Sequence, residues 1–320
     1  MTASSARQPT LLRCAAGWSV AVVLLVSTLA VLWPTHRTAA AVSPKVLLAL
    51  GDSLAAGYQP TFGTSLPPID LSSGYRDHGY PGSYAADVAS VRGLRLVDLG
   101  CPGETAASML GAPARNQCAR LYSGEFAAHS QLVAAETYLS RHPGQVALVT
   151  IDIGMNDLLR CVSASQVSIT CLEKNNVATE RNLVVILRSL VASLHRTDPR
   201  ARVVAMNYYD PFLGLAYAPG GTQGLKLALA SLAATNLFNA ELANTYRAFA
   251  VSTANAASGF HTNTALPVAH YGGKALPTDV VSICKLTWMC PIRSPQSRDI
   301  HPNLAGYRTI AGAFEQVLGS

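Results

Sequence analysis

Charged residues are scarce in this chain. They account for 13% of its 320 residues, whereas 49% are hydrophobic. Basic residues outnumber acidic ones only slightly, 24 to 18, and no run of lysine and arginine interleaved with aromatic residues occurs, so nothing predicts a nucleic-acid partner. The sequence also lacks internal repeats and, beyond residue 41, any linker rich in proline and serine. We therefore expect one domain over residues 42–320, which is long enough to bury a large core.

Acidic residues are absent from the amino-terminal part of the sequence. Arg7 and Arg13 precede an apolar run, Ala15–Trp33, and Ala39-Ala40-Ala41 then offers an A-x-A cleavage site. This pattern predicts a signal peptide over residues 1–41 and a secreted, extracellular protein. The competing interpretation is an uncleaved membrane anchor, because the apolar run is close to the length that spans a bilayer. Contact with a membrane is expected only through this segment.

Metal-binding patterns are also missing. The sequence has no C-x-x-C and no pair of histidines at ligand spacing, which argues against a zinc site, and we expect no metal. Of the seven cysteines, Cys14 lies in the leader, and an even number behind an export signal indicates disulfides. The other six fall into three close couples, so we predict sequential pairing: Cys101–Cys118, Cys161–Cys171 and Cys284–Cys290.

Strand-like and helix-like segments alternate after the leader, which predicts an α/β fold with a parallel sheet and crossover helices. The predicted strands are Val46–Leu50, Leu94–Leu99, Val146–Ile153, Arg202–Met206 and Ala250–Ala254. The predicted helices are Ser83–Ser90, Glu125–Arg141, Asn176–His195, Gln223–Phe249 and Ala305–Val317. Long irregular segments are expected at Gln59–Tyr80, Pro211–Gly224 and Gly259–Pro295.

The first predicted strand ends abruptly at Gly51-Asp52-Ser53-Leu54. A serine at the carboxyl end of a parallel strand lies where open α/β sheets place their sites. The small residues that follow suggest a tight turn into a helix, whose first N–H groups and partial positive charge would point at the serine oxygen. This setting suits Ser53 as a nucleophile with an oxyanion beside it. The alternative is that Ser53 is only a helix cap, a role that serine often fills.

Three later segments carry groups suited to acyl transfer. Gly103 follows the second predicted strand, and its N–H can approach a ligand closely because glycine has no Cβ. Asn156 follows the third strand with an amide donor, and His301, before the last helix, can act as a base near neutral pH. We expect Ser53 to attack a carbonyl and His301 to carry its proton. The oxyanion would be bound by the N–H groups of Ser53 and Gly103 and by the Asn156 amide.

With these blocks in order, the sequence resembles the SGNH hydrolases, also called GDSL esterases and lipases. Gly51-Asp52-Ser53-Leu54 matches the motif that names the family. Gly103 and Asn156 stand at the glycine and asparagine of its second and third blocks, and His301-Pro302 matches its fifth. The resemblance covers almost the whole chain after the leader and looks closest to secreted, disulfide-bearing members. It implies a three-layer α/β/α sandwich around a parallel sheet, no cofactor, and hydrolysis of carboxylic esters through an acyl-serine intermediate.

The acid of the expected catalytic triad departs from the family pattern. It usually stands three positions before the histidine, but Arg298 occupies that position here and Asp299 lies two before. Asp299 is the best available residue to orient the imidazole and to stabilise its cation. The altered spacing leaves a backbone carbonyl of the same loop as the alternative.

The loops leave the substrate open. We expect an ester, which can be a lipid, a small ester or an acetylated glycan, so a carbohydrate acetylesterase with the same site is an alternative to an esterase or lipase. A cell-surface binding module that has lost catalysis is a second alternative, and only the displaced acid favours it. Trp288, Met289, Ile283 and Ile292 are candidates for an acyl pocket, with core packing as the other interpretation.

Overall fold

The computed structural model describes residues 45–58, 60, 82–111, 130–162, 167–217, 221–290 and 298–319. Its main sheet contains the strands β1 Val46–Gly51, β2 Arg95–Asp98, β3 Val146–Asp152, β4 Arg202–Met206 and β5 Ser252–Ala254. All pair in parallel, in the order β2-β1-β3-β4-β5. Strand β1 is therefore an interior strand, and all six of its residues are buried. In such a sheet, the crevice between β1 and β3 is the point where strand order reverses and where ligands usually bind.

Helices cover both faces of this sheet. They are α1 Tyr84–Arg92, α2 Ala106–Met109, α3 Gln131–Arg141, α4 Met155–Leu159, α5 Ile169–Thr197, α6 Gly221–Ala248, α7 Ala256–Gly259, α8 Thr278–Leu286 and α9 Leu304–Leu318, with a 3₁₀ helix at Pro211–Ala216. Helix α1 packs on α9, whereas α3 packs on α5 and α5 on α6. The predicted α/β class and its three-layer α/β/α sandwich are confirmed. The strands are apolar along their length because both faces are covered.

Side-chain caps fix where two of the long helices begin. Ser130 accepts a hydrogen bond from the Val133 N–H, so α3 begins at Gln131 rather than at the predicted Glu125. Ser168 caps α5 in the same way, so that this helix begins one to two turns before its predicted start. Hydrophobic spacing marked the buried face of each helix, whereas the caps determined its first residue.

The segment predicted to be irregular at Gly259–Pro295 is partly regular. It contains a hairpin of two antiparallel strands, β6 Val268–Tyr271 and β7 Lys274–Pro277, followed by helix α8. Its two turn residues, Gly272 and Gly273, both have positive φ angles of 56° and 76°. Two consecutive glycines between strands are a signature of a tight hairpin turn, so this element was recognisable from the sequence.

Several predictions fall outside the described residues. These are the leader over residues 1–41, most of the loop Gln59–Tyr80, and Cys118. Cys161–Cys171 and Cys284–Cys290 form disulfides. Cys101 is also disulfide-bonded, and its pairing with Cys118 stays a prediction. Within the described ranges, no helix combines the length and the apolar character that a membrane span requires.

Candidate active site

The candidate site begins at the turn that follows β1. Gly51 has a φ of 143°, and a Cβ at this position would lie 2.4 Å from the backbone oxygen of Asp152. Only glycine therefore fits where β1 passes the end of β3. The backbone then turns through residues 52–57, and Ser53 keeps 8% of its surface exposed. The serine is nearly covered but remains open to a pocket at the carboxyl edge of the sheet.

A continuous chain of hydrogen bonds joins the predicted serine, histidine and aspartate. His301 Nε2 lies 2.8 Å from Ser53 Oγ, and His301 Nδ1 lies 2.6 Å from Asp299 Oδ1. The same Asp299 oxygen also accepts the His301 backbone N–H at 2.8 Å. The Asp299 carboxylate therefore forms two hydrogen bonds with His301, one with the ring and one with the backbone N–H. A spacing of two residues, rather than three, is compatible with this geometry.

The loop that carries the histidine is pinned to the segment before it. Trp288 and His301 share a backbone hydrogen bond of 3.0 Å, and the Asp299 N–H donates to the Trp288 carbonyl at 3.2 Å. The disulfide Cys284–Cys290 closes the segment that contains Trp288. Behind the loop, Asn303 caps α9 by accepting N–H bonds of 3.0 and 3.1 Å. These contacts limit the positions that the imidazole can adopt.

The charge of Asp299 is favoured by its partner. Burial opposes ionisation of this carboxyl group, but the hydrogen bonds and the charge of His301 outweigh burial and lower the pKa of Asp299. The imidazole edge is also covered by Tyr58, whose ring centre lies 4.4 Å from that of His301. An ionised carboxylate next to an imidazole stabilises the imidazolium that forms when the serine proton is transferred.

Asn156 lies in the first turn of α4, immediately after β3. Its Nδ2 donates one hydrogen bond of 2.9 Å to the Glu104 carbonyl, and its neighbour Asp157 accepts the Ala106 N–H at 2.8 Å. Both bonds tie the end of β3 to the loop after β2. An amide nitrogen carries two protons, and within the described residues Nδ2 of Asn156 has no second acceptor, so one proton is available for a ligand. Asn156, Ser53 and His301 line the same pocket.

Gly103 stands in the loop after β2, exposed and with a φ of 85°. It is next to Glu104, the residue to which Asn156 donates, but it does not line the pocket that contains Ser53. The structure therefore brings the serine, histidine, aspartate and asparagine together and leaves the glycine at the margin. The role of Gly103 in oxyanion binding stays a prediction.

Most of the residues that line the pocket are apolar or aromatic. Beyond its polar members, its wall is formed by Leu54, Met155, Leu159, Tyr208, Tyr209, Pro211 and Ile300. Leu159 also borders a larger cavity of about 350 Å³ next to it, whose wall includes Phe212, Leu215, Leu227 and Met289. Of the predicted acyl-pocket residues, Met289 lines this cavity, Ile283 is fully buried in the core, and Ile292 lies outside the described residues.

Sequence reasoning missed the side chains that hold the serine turn from below. Gln131 makes a pair of hydrogen bonds to the backbone of Gly51, at 2.6 and 2.9 Å, although the two residues are 80 positions apart. Asp152, at the end of β3, accepts N–H groups of the turn. No local pattern marks a contact between such distant residues. Only the position of Asp152 at a strand end next to β1 gave a signal.

The described residues contain no group of three or more His, Cys, Asp or Glu side chains arranged to hold a metal ion. A serine, histidine and aspartate connected at the carboxyl edge of a parallel sheet form the arrangement of α/β proteins with a Ser-His-Asp triad. A family model makes the assignment specific: the chain belongs to the GDSL-like lipase/acylhydrolase family, which matches residues 49–309. The resemblance noted from the sequence motifs is thereby confirmed.

Solved structures from two streptomycetes are similar to this chain. An extracellular lipase from Streptomyces rimosus has 18% sequence identity and a TM-score of 0.51, with 85% of this chain and 99% of that chain covered. Phospholipase A1 from Streptomyces albidoflavus NA297 has 16% identity and a TM-score of 0.51, with 86% and 98% covered. At these identities the similarity supports the fold. A comparison with curated protein sequences found no match.

Proposed function

We propose that this protein hydrolyses carboxylic esters through an acyl-Ser53 intermediate. The observation that carries the proposal is the unbroken hydrogen-bonded chain from Ser53 through His301 to Asp299. A serine hydroxyl is a weak nucleophile until an adjacent base removes its proton. Membership in the GDSL-like lipase/acylhydrolase family supports a hydrolase.

In the first half of the proposed reaction, Ser53 Oγ attacks the ester carbonyl and His301 Nε2 takes the hydroxyl proton. The carbonyl oxygen becomes an oxyanion, for which the Ser53 N–H and the second Asn156 amide proton are the available donors, with Gly103 as a further candidate. When the intermediate collapses, the bond to the alcohol breaks and His301 returns the proton to the leaving oxygen. The alcohol departs, and the acyl group stays on Ser53.

In the second half, water replaces the alcohol. His301 takes one proton from the water as its oxygen attacks the acyl carbon, and a second oxyanion forms in the same place. Collapse breaks the bond to Ser53 Oγ, which receives the proton from His301. The products are a carboxylic acid and free enzyme, and Asp299 stays ionised throughout, because its role is to orient and stabilise the imidazolium.

The apolar wall favours an acyl chain longer than acetyl. Leu159 lines both the pocket with Ser53 and the neighbouring cavity of about 350 Å³. The wall of that cavity includes Ser231 and Arg298 but is otherwise hydrophobic, so a chain that passes Leu159 would find further hydrophobic surface. Each buried methylene contributes about 0.8 kcal/mol. We therefore propose an esterase or lipase for acyl chains of more than two carbons, rather than a carbohydrate acetylesterase.

A panel of nitrophenyl esters of rising acyl length tests both parts. Ser53→Ala should lower kcat/KM by about 10⁴-fold or more and abolish labelling by a fluorophosphonate, which reacts only with an activated serine. Ser140→Ala, at an exposed helical serine, is the matched control and should behave like the wild type. Retained turnover in Ser53→Ala would refute the mechanism. A wild type that neither turns over esters nor is labelled would instead indicate a lapsed binding module.

A larger side chain at residue 159, between the Ser53 pocket and the neighbouring cavity, tests the acyl preference. Leu159→Trp should shift the optimum toward acetate and propionate esters, because the larger ring closes the way to the apolar cavity. Leu237→Trp, at a helix position that is 56% exposed, is the control for introducing a tryptophan. Activity restricted to acetyl esters in the wild type would favour the carbohydrate acetylesterase.

We also propose that the protein is secreted. The two disulfides in the described chain, Cys161–Cys171 and Cys284–Cys290, support an oxidising compartment. Expression of the full chain followed by amino-terminal sequencing of the medium fraction tests this. A new terminus at Val42 is expected, whereas an intact chain in the membrane fraction would establish the anchor.

A further inference from the structure

Two carboxyl groups lie buried beneath the nucleophile. Asp52 belongs to the serine turn and is 2% exposed, and Asp152 ends β3 and is fully buried. The Asp52 N–H lies 3.3 Å from Asp152 Oδ2, so the two buried carboxyl groups are neighbours. Neither belongs to the Ser53–His301–Asp299 triad, but Asp52 Oδ1 lies 3.4 Å from Ser53 Oγ and accepts a long hydrogen bond from it. Their charges would nevertheless act on the reaction, because they lie directly below the serine.

This pair organises the N–H groups of the turn. Asp52 N–H donates to the backbone oxygen of Asp152 at 3.1 Å, and Ala55 N–H donates to Asp152 Oδ2 at 3.2 Å. Leu54 N–H donates to Asp52 Oδ1 at 2.9 Å. The N–H of Ser53 has no acceptor among the described residues. Asp52 and Asp152 thus accept hydrogen bonds from three of the four successive N–H groups of residues 52–55. The fourth, the N–H of Ser53, is the one that an oxyanion would need.

The surroundings of the pair supply almost no positive charge. The titratable groups that interact with it from the packed elements are Tyr84 of α1, Tyr208 and Tyr209 after β4, Tyr246 of α6, Tyr307 of α9, and His301 of the loop before α9. His301 is the single basic side chain in this set. No lysine or arginine of the described chain forms an ion pair with either carboxyl group.

Two ionised carboxylates in contact, buried and without a cation, are electrostatically prohibitive, and such pairs share one proton. Burial, followed by the charge of Asp52, raises the pKa of Asp152 well above its ordinary value. Burial also raises the pKa of Asp52, to about 6. Tyr84 OH donates to Asp152 Oδ1 at 2.5 Å, which favours the ionised form of that group but does not offset burial.

We propose that Asp152 is a positioning residue that works in its protonated form, donating its proton to Asp52 so that the pair carries a single negative charge beneath Ser53. The shared proton fixes the turn and leaves the Ser53 N–H for the oxyanion. Loss of that proton would place a second negative charge near the oxyanion and would oppose the transition state. The inference concerns catalysis by the same site and rests on the proposed ester hydrolysis.

The test compares two substitutions of Asp152, one by an amide and one by alanine. Asp152→Asn keeps a neutral donor, so it should keep kcat near pH 7 within about threefold of the wild type. The wild type is expected to lose activity at alkaline pH as Asp152 ionises, and Asp152→Asn should not. Asp152→Ala should lower kcat about tenfold or more, because the turn loses its acceptors. Equal losses in both variants, or an unchanged alkaline decline in Asp152→Asn, would overturn the inference.

Infrared spectroscopy tests the proton without using activity. The wild type at neutral pH should show the carbonyl stretch of a protonated carboxylic acid, and Asp152→Asn should remove one component of it. Asp210→Asn is the matched control at another buried aspartate and should remove a different component. If Asp152→Asn leaves the band unchanged, the inference is wrong. This readout remains valid even if the protein proves not to hydrolyse esters, so the two failures are distinguishable.

A third variant covers the possibility that changes at residue 152 prevent folding. Tyr84→Phe removes the hydroxyl that stabilises the ionised form of Asp152 and should move the alkaline decline in kcat to higher pH. An unmoved decline would contradict the assignment. His301 and Asp299 stay in place in this variant, so the relay itself is unaltered.

Discussion

The pKa values of the carboxyl groups on the two sides of Ser53 shift in opposite directions. Asp299 reaches the serine through His301, and its pKa is lowered because hydrogen bonds and the charge of the imidazole outweigh burial. Asp152 lies beneath the serine, and its pKa is raised because burial and a neighbouring carboxyl group act together. The two are the same residue type at the same site. Hydrogen bonds from a histidine lower the pKa of one aspartate, and burial beside a second carboxyl group raises the pKa of the other.

The two regions are also held in place differently. The serine turn is fixed from inside the fold by Asp152 and Gln131, whose side chains bond its backbone. The histidine loop lies against the segment of Trp288, which the disulfide Cys284–Cys290 closes. Buried hydrogen bonds therefore position the nucleophile, and a covalent bridge supports the position of the base. Each of these differences can be tested by a substitution.

The largest effect is expected from replacing Asp299, the aspartate whose pKa is lowered, with a neutral residue. Asp299→Asn should lower kcat/KM by about 10⁴-fold, because an amide does not stabilise the imidazolium and favours the wrong tautomer. Steady-state kinetics on a nitrophenyl ester measures this. The matched control is Asp279→Asn, at an aspartate that likewise bonds a backbone N–H but lies outside the pocket. A loss of less than about tenfold would indicate that a backbone carbonyl orients His301 instead.

A carboxyl group that does not line the Ser53 pocket, Asp210, tests whether burial without a cation is sufficient to raise a pKa. Burial raises the pKa of Asp210 to about 7 although Ser231 and the Phe212 N–H bond it. The folded state then binds a proton that the unfolded state has lost, so the free energy of unfolding should fall by about 3 kcal/mol between pH 5 and pH 9 through this group.

Asp210→Asn should remove this fall, which denaturant unfolding at the two pH values measures. Ser231→Ala is a useful second variant, because it removes a donor that favours the charged form and should move the fall to higher pH. If Asp210→Asn unfolds with the same pH dependence as the wild type, another group is responsible.

A smaller effect is expected from the covalent support of the histidine loop. Replacing both Cys284 and Cys290 with alanine should lower the free energy of unfolding by about 2 kcal/mol, the value for a short closed loop. It should also lower kcat several-fold, because the loop of His301 loses its support. The matched control replaces Cys161 and Cys171, which should cost a similar stability with kcat unchanged. Equal kcat losses in both variants would contradict a specific role of the first bridge.

Much of the fold was predictable from local pattern. The apolar run that ends at Gly51 and the helical spacing of α5 and α9 identified buried elements, and the ordered blocks identified Ser53, Asn156 and His301 as candidate site residues. Asp299 was predicted as the acid from its place two residues before His301, with a backbone carbonyl of the same loop as the alternative. The positions of helix ends were less accessible, because a single capping serine such as Ser168 decides them.

What local pattern could not supply was the environment of each side chain. Nothing in the sequence near Asp152 distinguishes it from a surface aspartate at a strand end. Its burial follows from the pairing of β1 with β3 and from the packing of Tyr84 beside it. The same holds for Gln131, whose bonds to Gly51 span 80 positions. The protonation of a buried carboxyl group depends on neighbours that only the folded core brings together.

The bond between Ser53 and His301 joins positions that are 248 residues apart. If α9 undocks while the strands stay paired, the serine turn would lose its base. It would also lose the hydrogen bond that the Tyr307 hydroxyl of α9 donates to the Tyr58 carbonyl at 2.8 Å. During mild denaturation, we expect turnover to vanish before the sheet loses its circular dichroism signal. The enzymatic rate would then report the docking of α9 rather than the folding of the whole domain.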